Sequence, residues 1–264
     1  MVQLSAGDPR FRSDNGGADP AVTSALAEYA AGTGTEYSVL TALADARLLV
    51  PVVAVRADEL EPDDHAPGHG DACGSGDKHG DKATEMAMPA IVGADGRRAL
   101  PAFTSLETLQ RWQHNARPVP VPAEGVWQSA VQESQAVIID LAGPVPLAVE
   151  GARLAALASG AAVPHLHEDP DVRATVAAVA AGQPPGLRIR LGPPQGDADF
   201  TLELTPADPA APAAVTDEVA RAFADEVASS LGERVRRGIA LVIPAEPPGG
   251  RPGRRGRRAR NRRT

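Results

Sequence analysis

Between Ala90 and Phe103, two short apolar runs flank Ala94-Asp95-Gly96, and no other pattern limits the available folds as much. Asp-Gly between apolar runs signals a hairpin, because both residues tolerate the positive φ of a tight turn. Just beyond the second run, Ser105 stands where an N-cap belongs and Glu107 falls in the first turn of a short helix, where a negative charge suits the dipole. Leu106, Leu109 and Trp112 or Gln113 fall on the inner side, and Pro118 and Pro120 are expected to end the helix. The segment Asp81 to Trp112 therefore predicts strand, turn, strand and helix, which demands a mixed α+β fold.

The flanking sequence agrees. Residues 1–18 show no periodicity and are expected to form a flexible arm. A helix starts at Asp19-Pro20, with Val22, Leu26 and Tyr29 inward, and stops at Gly32-Thr33-Gly34. A second helix places Tyr37, Leu40, Leu43 and Ala44 on one face. Leu48 to Val55 is a short, largely β-branched run that predicts a buried strand, and Pro51 inside it argues for an edge or a bulge. Glu124 to Glu133 predicts a helix, Ala136 to Leu141 a strand, and Gly151 to Ser159 a small helix. Gly160 to Pro170 is the expected linker. Beyond it, Val172, Val176 and Val179 form a helical stripe, and two period-2 strands follow at 187–191 and 200–204. Val215, Val219, Phe223, Val227 and Leu231, with Ala222 beside them, mark a long amphipathic helix, and Ile239 to Ile243 a last strand. The expected architecture is two small two-layer α+β units, 19–159 and 170–244. The second has the order α-β-β-α-β, and a disordered basic tail over 245–264 follows it.

Several strings in the first unit resemble the N-terminal domain of the SseB family. They are Asp81-Lys82, Glu85-Met86-Ala87, Asp95-Gly96-Arg97, Leu100-Pro101-Ala102-Phe103-Thr104-Ser105 and Trp112, supported by 48–55 and 126–157. The likeness spans Asp19 to Leu157. It implies a bacterial protein whose first unit is an SseB-type N-terminal domain, followed by a less defined second domain. It supplies no catalytic motif and no defined ligand, and the loop at 63–80 departs from the family pattern in being richer in His, Gly and Asp.

Composition narrows the function. Hydrophobic residues make up 43% but aromatics only 3%, so the cores must be built mainly from Ala, Val and Leu. No apolar run approaches the ~20 residues that span a bilayer. The first residues carry early charges and no apolar signal core, and Cys73 is the single cysteine, so a cytoplasmic, non-membrane protein is expected. The chain totals −8, yet its last fourteen residues hold eight arginines and no acid, which leaves −16 on the remainder.

Three groups of residues are candidates for chemistry or binding. His65, His69, Cys73 and His79 offer imidazole and thiolate, ligands suited to zinc, nickel or copper, in a Gly-rich loop that could wrap a tetrahedral ion, zinc foremost; the plainer alternative is a solvated loop. Cys73 also opens Cys-Gly-Ser-Gly-Asp-Lys, which could cradle an anion, although neither flank shows the strand and helix that such loops need. Asp81, Lys82 and Glu85 form a charged edge beside that loop, with no structural role legible in the sequence. Arg251, Arg254, Arg255, Arg257, Arg258, Arg260, Arg262 and Arg263 form a tail suited to phosphates, with no aromatics for base stacking. The same tail could instead solubilise the chain, fold onto its acidic body, or bind an acidic protein. His165 and His167, in the linker segment, are expected to be solvated. No catalytic constellation is legible. The expectation is a non-enzymatic module that binds a macromolecule, either protein or RNA and the ribosome. The alternative is a metal- or thiol-dependent enzyme using loop 63–81.

Overall fold

The computed structural model describes residues 9–56, 84–94, 96–183, 187–206 and 217–244. Its contacts divide the chain into two units, 1–173 and 174–264. The fold is mixed α+β, as the sequence predicts. Among the described residues no helix is long and apolar enough to cross a membrane.

The first unit opens with α1 (Pro20–Ala30) and α2 (Glu36–Ala44). Asp19 caps α1 by accepting from the Ala21 and Val22 amides, and Thr35 caps α2 by accepting from Ser38. Gly32, at φ 72°, turns the chain between them. α2 is rotated from its expected face: Glu36, Val39, Leu40 and Leu43 are buried, whereas Tyr37 is only half-buried and stacks on His165.

β1 (Arg47–Arg56) is a central strand and not an edge. It pairs antiparallel with β2 (Thr84–Ala87) and β5 (Arg117–Pro122), and an isolated bridge joins Leu49 to Phe103. Pro51 is tolerated for a reason of register. The Ala123 amide donates to the Ala46 carbonyl, so ladder bonds to β5 fall on residues 46, 48, 50 and 52. Residues 47, 49 and 51 aim their polar groups the other way. Leu49 exchanges both bonds with Phe103, and pairing with β2 begins only at Val53, so Pro51 sits in the gap between these partners. Opposite residues 51, 49 and 47 stand Pro118, Pro120 and Pro122. Two of these prolines were expected only to end a helix. They also build an edge strand whose outward N–H positions are all proline, and such an edge resists pairing with another chain.

The hairpin forms as predicted. β3 (Ile91–Val92) and β4 (Arg98–Ala102) pair antiparallel around Gly96 at φ 79°. β4 then pairs parallel with β6 (Ala136–Ile139), which pairs antiparallel with β7 (Leu147–Glu150), a strand the sequence reading did not distinguish. The path from β4 to β6 runs through α3 (Leu106–Trp112), β5 and α4 (Ala123–Glu133). α5 (Gly151–Ser159) follows β7.

One sheet face carries Leu48, Val50, Leu100, Val137, Ile139 and Val149 into a core with Leu40 and Leu43 of α2, Trp127 of α4 and Leu154 of α5. The opposite face, at Leu49 and Phe103, is covered by Leu109 and Trp112 of α3. Leu48, Leu49 and Val50 of β1 are consecutively apolar and buried because both faces of the strand are covered there.

Two polar pairs set this unit's helix ends. Arg153 of α5 and Glu36 of α2 form an ion pair only 5% and 4% exposed. Asp171 accepts from the Ala152 amide and so caps α5, whose own N-cap residue makes no side-chain bond. The segment expected to be a linker, 160–170, lies in this first unit, with Val163, Leu166 and Asp169 buried.

The division between units falls within α6 (Pro170–Ala181). β8 (Leu187–Gly192) pairs antiparallel with β9 (Phe200–Pro206), and β9 parallel with β10 (Ile239–Val242). α7 (Asp217–Leu231) buries Ala220, Phe223, Ala224, Val227 and Leu231, while Ala222 is exposed. Asp199, 8% exposed, accepts from the Arg236 and Arg237 amides and fixes the turn before β10. The α-β-β-α-β order is the predicted one.

Candidate functional site

A cavity of about 280 Å³ lies at the carboxyl ends of the neighbouring parallel strands β4 and β6. Thr104 and Ser105 follow β4, Asp140 follows β6, and Thr108 rises from the first turn of α3. Thr23, Leu26 and Ala27 of α1, with Pro144 and Val145, form the facing wall. Glu107 and Arg111 also line it, paired with each other at 2.6 Å. Crevices beyond the carboxyl ends of parallel strands are where α/β sheets recurrently bind ligands.

Asp140 organises this floor. It is 3% exposed, and it is the only non-glycine residue at positive φ among the described residues, at 49°. Its Oδ1 accepts from the Thr104 amide at 2.9 Å and the Thr108 hydroxyl at 2.6 Å, while Oδ2 accepts from the Thr104 hydroxyl at 2.6 Å. Ser105 Oγ lies 3.2 Å from Thr108 Oγ1 and accepts from the Thr108 amide. Backbone strain of this kind collects at functional sites when the surroundings hold it in place. Gly143 is required here, since a Cβ at that position would meet the Asp140 side chain at 2.8 Å.

The network reaches the N-terminal segment through Arg47, which is 14% exposed. Its guanidinium pairs with Asp14 at 2.6 Å, donates to the Thr104 carbonyl at 3.0 Å, and donates to the Gly17 carbonyl. Gly16 in turn accepts from the Leu106 amide at 2.7 Å. Asp14 and Asn15 fold into successive Asx turns onto Gly16 and Gly17. Part of the expected flexible arm is thus tied to α3 and β1; residues 1–8 lie outside the described residues.

The residues singled out from sequence fall elsewhere. His65, His69, Cys73, His79, Asp81 and Lys82 lie outside the described residues, as do all eight tail arginines. Glu85 is in β2 opposite Val55, and its side chain is not among those described. Among the described residues no group of three or more His, Cys, Asp or Glu is placed to hold a metal. His165 is exposed, as expected, but its ring stacks 4.0 Å from Tyr37, and His167 is only 17% exposed. Trp127 is fully buried and Trp112 packs 5.5 Å from Phe103, so both tryptophans anchor the cores of the first unit.

The first unit is therefore an α+β domain with a small polar-floored cavity over the ends of two parallel strands. Residues 22–156, just over half of the chain, match the family model of the SseB protein N-terminal domain, and the chain belongs to the SseB family. No curated protein and no solved structure matches it.

Proposed function

We propose that this SseB-family protein is a non-enzymatic cytoplasmic binding module whose arginine tail contacts RNA. The observation that carries this reading is the charge division: eight arginines in the last fourteen residues, on a chain otherwise at −16. An acidic body repels phosphate and confines contact to the tail, where guanidinium groups displace condensed counterions. Without aromatics among those arginines, binding is indifferent to base sequence. Fluorescence anisotropy with a duplex RNA tests the reading on the full chain and on a chain ending at residue 250. At least a tenfold loss of affinity on truncation is expected, and equal affinities would refute it.

A second reading rests on His65, His69, Cys73 and His79 falling within fifteen residues, which suits zinc and with it a metal- or thiol-dependent enzyme. Metal analysis of protein purified without an affinity tag decides it: one zinc per chain, lost in Cys73→Ser, supports the site, and metal-free protein with an unreactive Cys73 removes it.

A further inference from the structure

We infer that the cavity over β4 and β6 is a binding site for a small organic cation, an ammonium group carried on a short apolar body. The inference is independent of the arginine tail and rests on how the cavity's protons are spent.

Each hydroxyl lining the floor gives its proton within the protein. Thr104 Oγ1 donates to Asp140 Oδ2, and Thr108 Oγ1 donates to Asp140 Oδ1 at the shorter of its two contacts. With the Thr108 proton so committed, the Ser105–Thr108 contact is made by the Ser105 proton. Thr23 Oγ1 on the facing wall donates to the Asp19 carbonyl. A hydroxyl has one proton and two lone pairs, and a carboxylate only accepts. What the side chains of Thr104, Ser105, Thr108 and Asp140 leave for a ligand is lone pairs: one on Asp140 Oδ2, which takes a single protein donor, and those of the hydroxyl oxygens. Such a floor is matched by a group rich in N–H donors and mismatched to an anion.

Charge points the same way. The ionisable groups lining the cavity are Asp140, Glu107 and Arg111, and Arg111 is already paired with Glu107. The surplus charge is the one negative charge of Asp140, the deepest of the three. Leu26, Ala27, Pro144 and Val145 supply an apolar wall for a hydrocarbon body. The volume, about 280 Å³, lies just below the range of about 300–1,000 Å³ usual for ligand pockets, which limits the occupant to a compact molecule.

The test uses the full chain and two-dimensional amide NMR, with n-butylammonium as probe and n-butyrate as its anionic counterpart of matched length. n-Butylammonium is expected to give saturable shifts centred on the Thr104, Ser105 and Thr108 amides, and n-butyrate to bind about tenfold more weakly or not at all. Ala27→Leu extends an exposed α1 residue across the cavity without touching the polar network. It should weaken n-butylammonium about tenfold while leaving the unfolding midpoint unchanged. Asp140→Asn should weaken it by a similar factor. The inference is overturned if n-butylammonium does not saturate, if its shifts map away from the cavity, if n-butyrate binds as well, or if Ala27→Leu changes nothing.

Discussion

Replacing Asp140 with alanine removes the carboxylate that ties Thr104 and Thr108 to the end of β6 at the cavity floor, leaving only the backbone bond from the Asp140 amide to the Ala102 carbonyl. Three bonds are lost: those from the Thr104 amide, the Thr104 hydroxyl and the Thr108 hydroxyl. The Thr108 hydroxyl re-pairs at little cost, because the Ser105 carbonyl is already 3.0 Å away. The Thr104 amide, in a residue 5% exposed, has no such alternative, and an orphaned buried donor costs about 1–3 kcal/mol. Loss of the charge-assisted Thr104 hydroxyl bond adds about 1.5 kcal/mol. Alanine must also hold φ near 49°, a conformation costing L-residues about 1–2 kcal/mol that Asp tolerates better than Ala. The expected loss for Asp140→Ala, with about 1 kcal/mol of it from the backbone, is about 3.5–5.5 kcal/mol. Asp140→Gly loses the same bonds without the backbone penalty and should be about 1 kcal/mol more stable than the alanine variant. Asp140→Asn keeps one carbonyl acceptor and the tolerance of positive φ, and should cost about 1–2 kcal/mol. Urea unfolding followed by tryptophan fluorescence reads this series in the right unit, since Trp112 and Trp127 are the only tryptophans and both lie in 1–173. An alanine variant within about 0.5 kcal/mol of the parent, or one no weaker than glycine, would refute the reasoning.

Other substitutions probe the same unit. Removing one member of the buried Glu36–Arg153 pair should cost about 3–5 kcal/mol, whereas Glu36→Leu with Arg153→Met should unfold near the parent midpoint; a double variant as weak as the singles would contradict this. Gly151→Ala requires a Cβ against the Asp171 carboxylate at φ 59°, so it should break the α5 cap and cost about 2 kcal/mol or more by urea unfolding. Pro120→Val restores an outward N–H on the β5 edge and should produce concentration-dependent association in sedimentation velocity, where the parent shows less.

Local chemistry made much of the fold legible. Asp19 before Pro20, Gly96 in its turn, Ser105 before Leu106, and the spaced apolar residues of α7 each act through neighbours a few positions away. What was missed is non-local. β5 was hidden because a Pro-Val-Pro-Val-Pro string reads as a helix stop, and its role appears only when Pro118, Pro120 and Pro122 are set against β1. β7 is four residues long and is defined by its partner β6. The rotation of α2 depends on Arg153, 117 positions away from Glu36. The cavity network joins Thr104 to Arg47 and to Asp140 across separations of 57 and 36 residues, beyond the reach of any spacing rule. Two signals were nonetheless present: Asp140 directly follows the apolar run Ala-Val-Ile-Ile, and Thr104 stood in the family-like string with no role assigned. A polar residue closing a buried strand must find partners, and here those partners line the cavity.

The arginine tail is tested most directly by the salt dependence of RNA binding. With about 4–6 phosphates neutralised, log K for a duplex should fall with log salt at a slope of about −4 to −5, and a chain ending at residue 250 should lose both the affinity and the slope. An unchanged slope after removal of the eight arginines would contradict the proposed function.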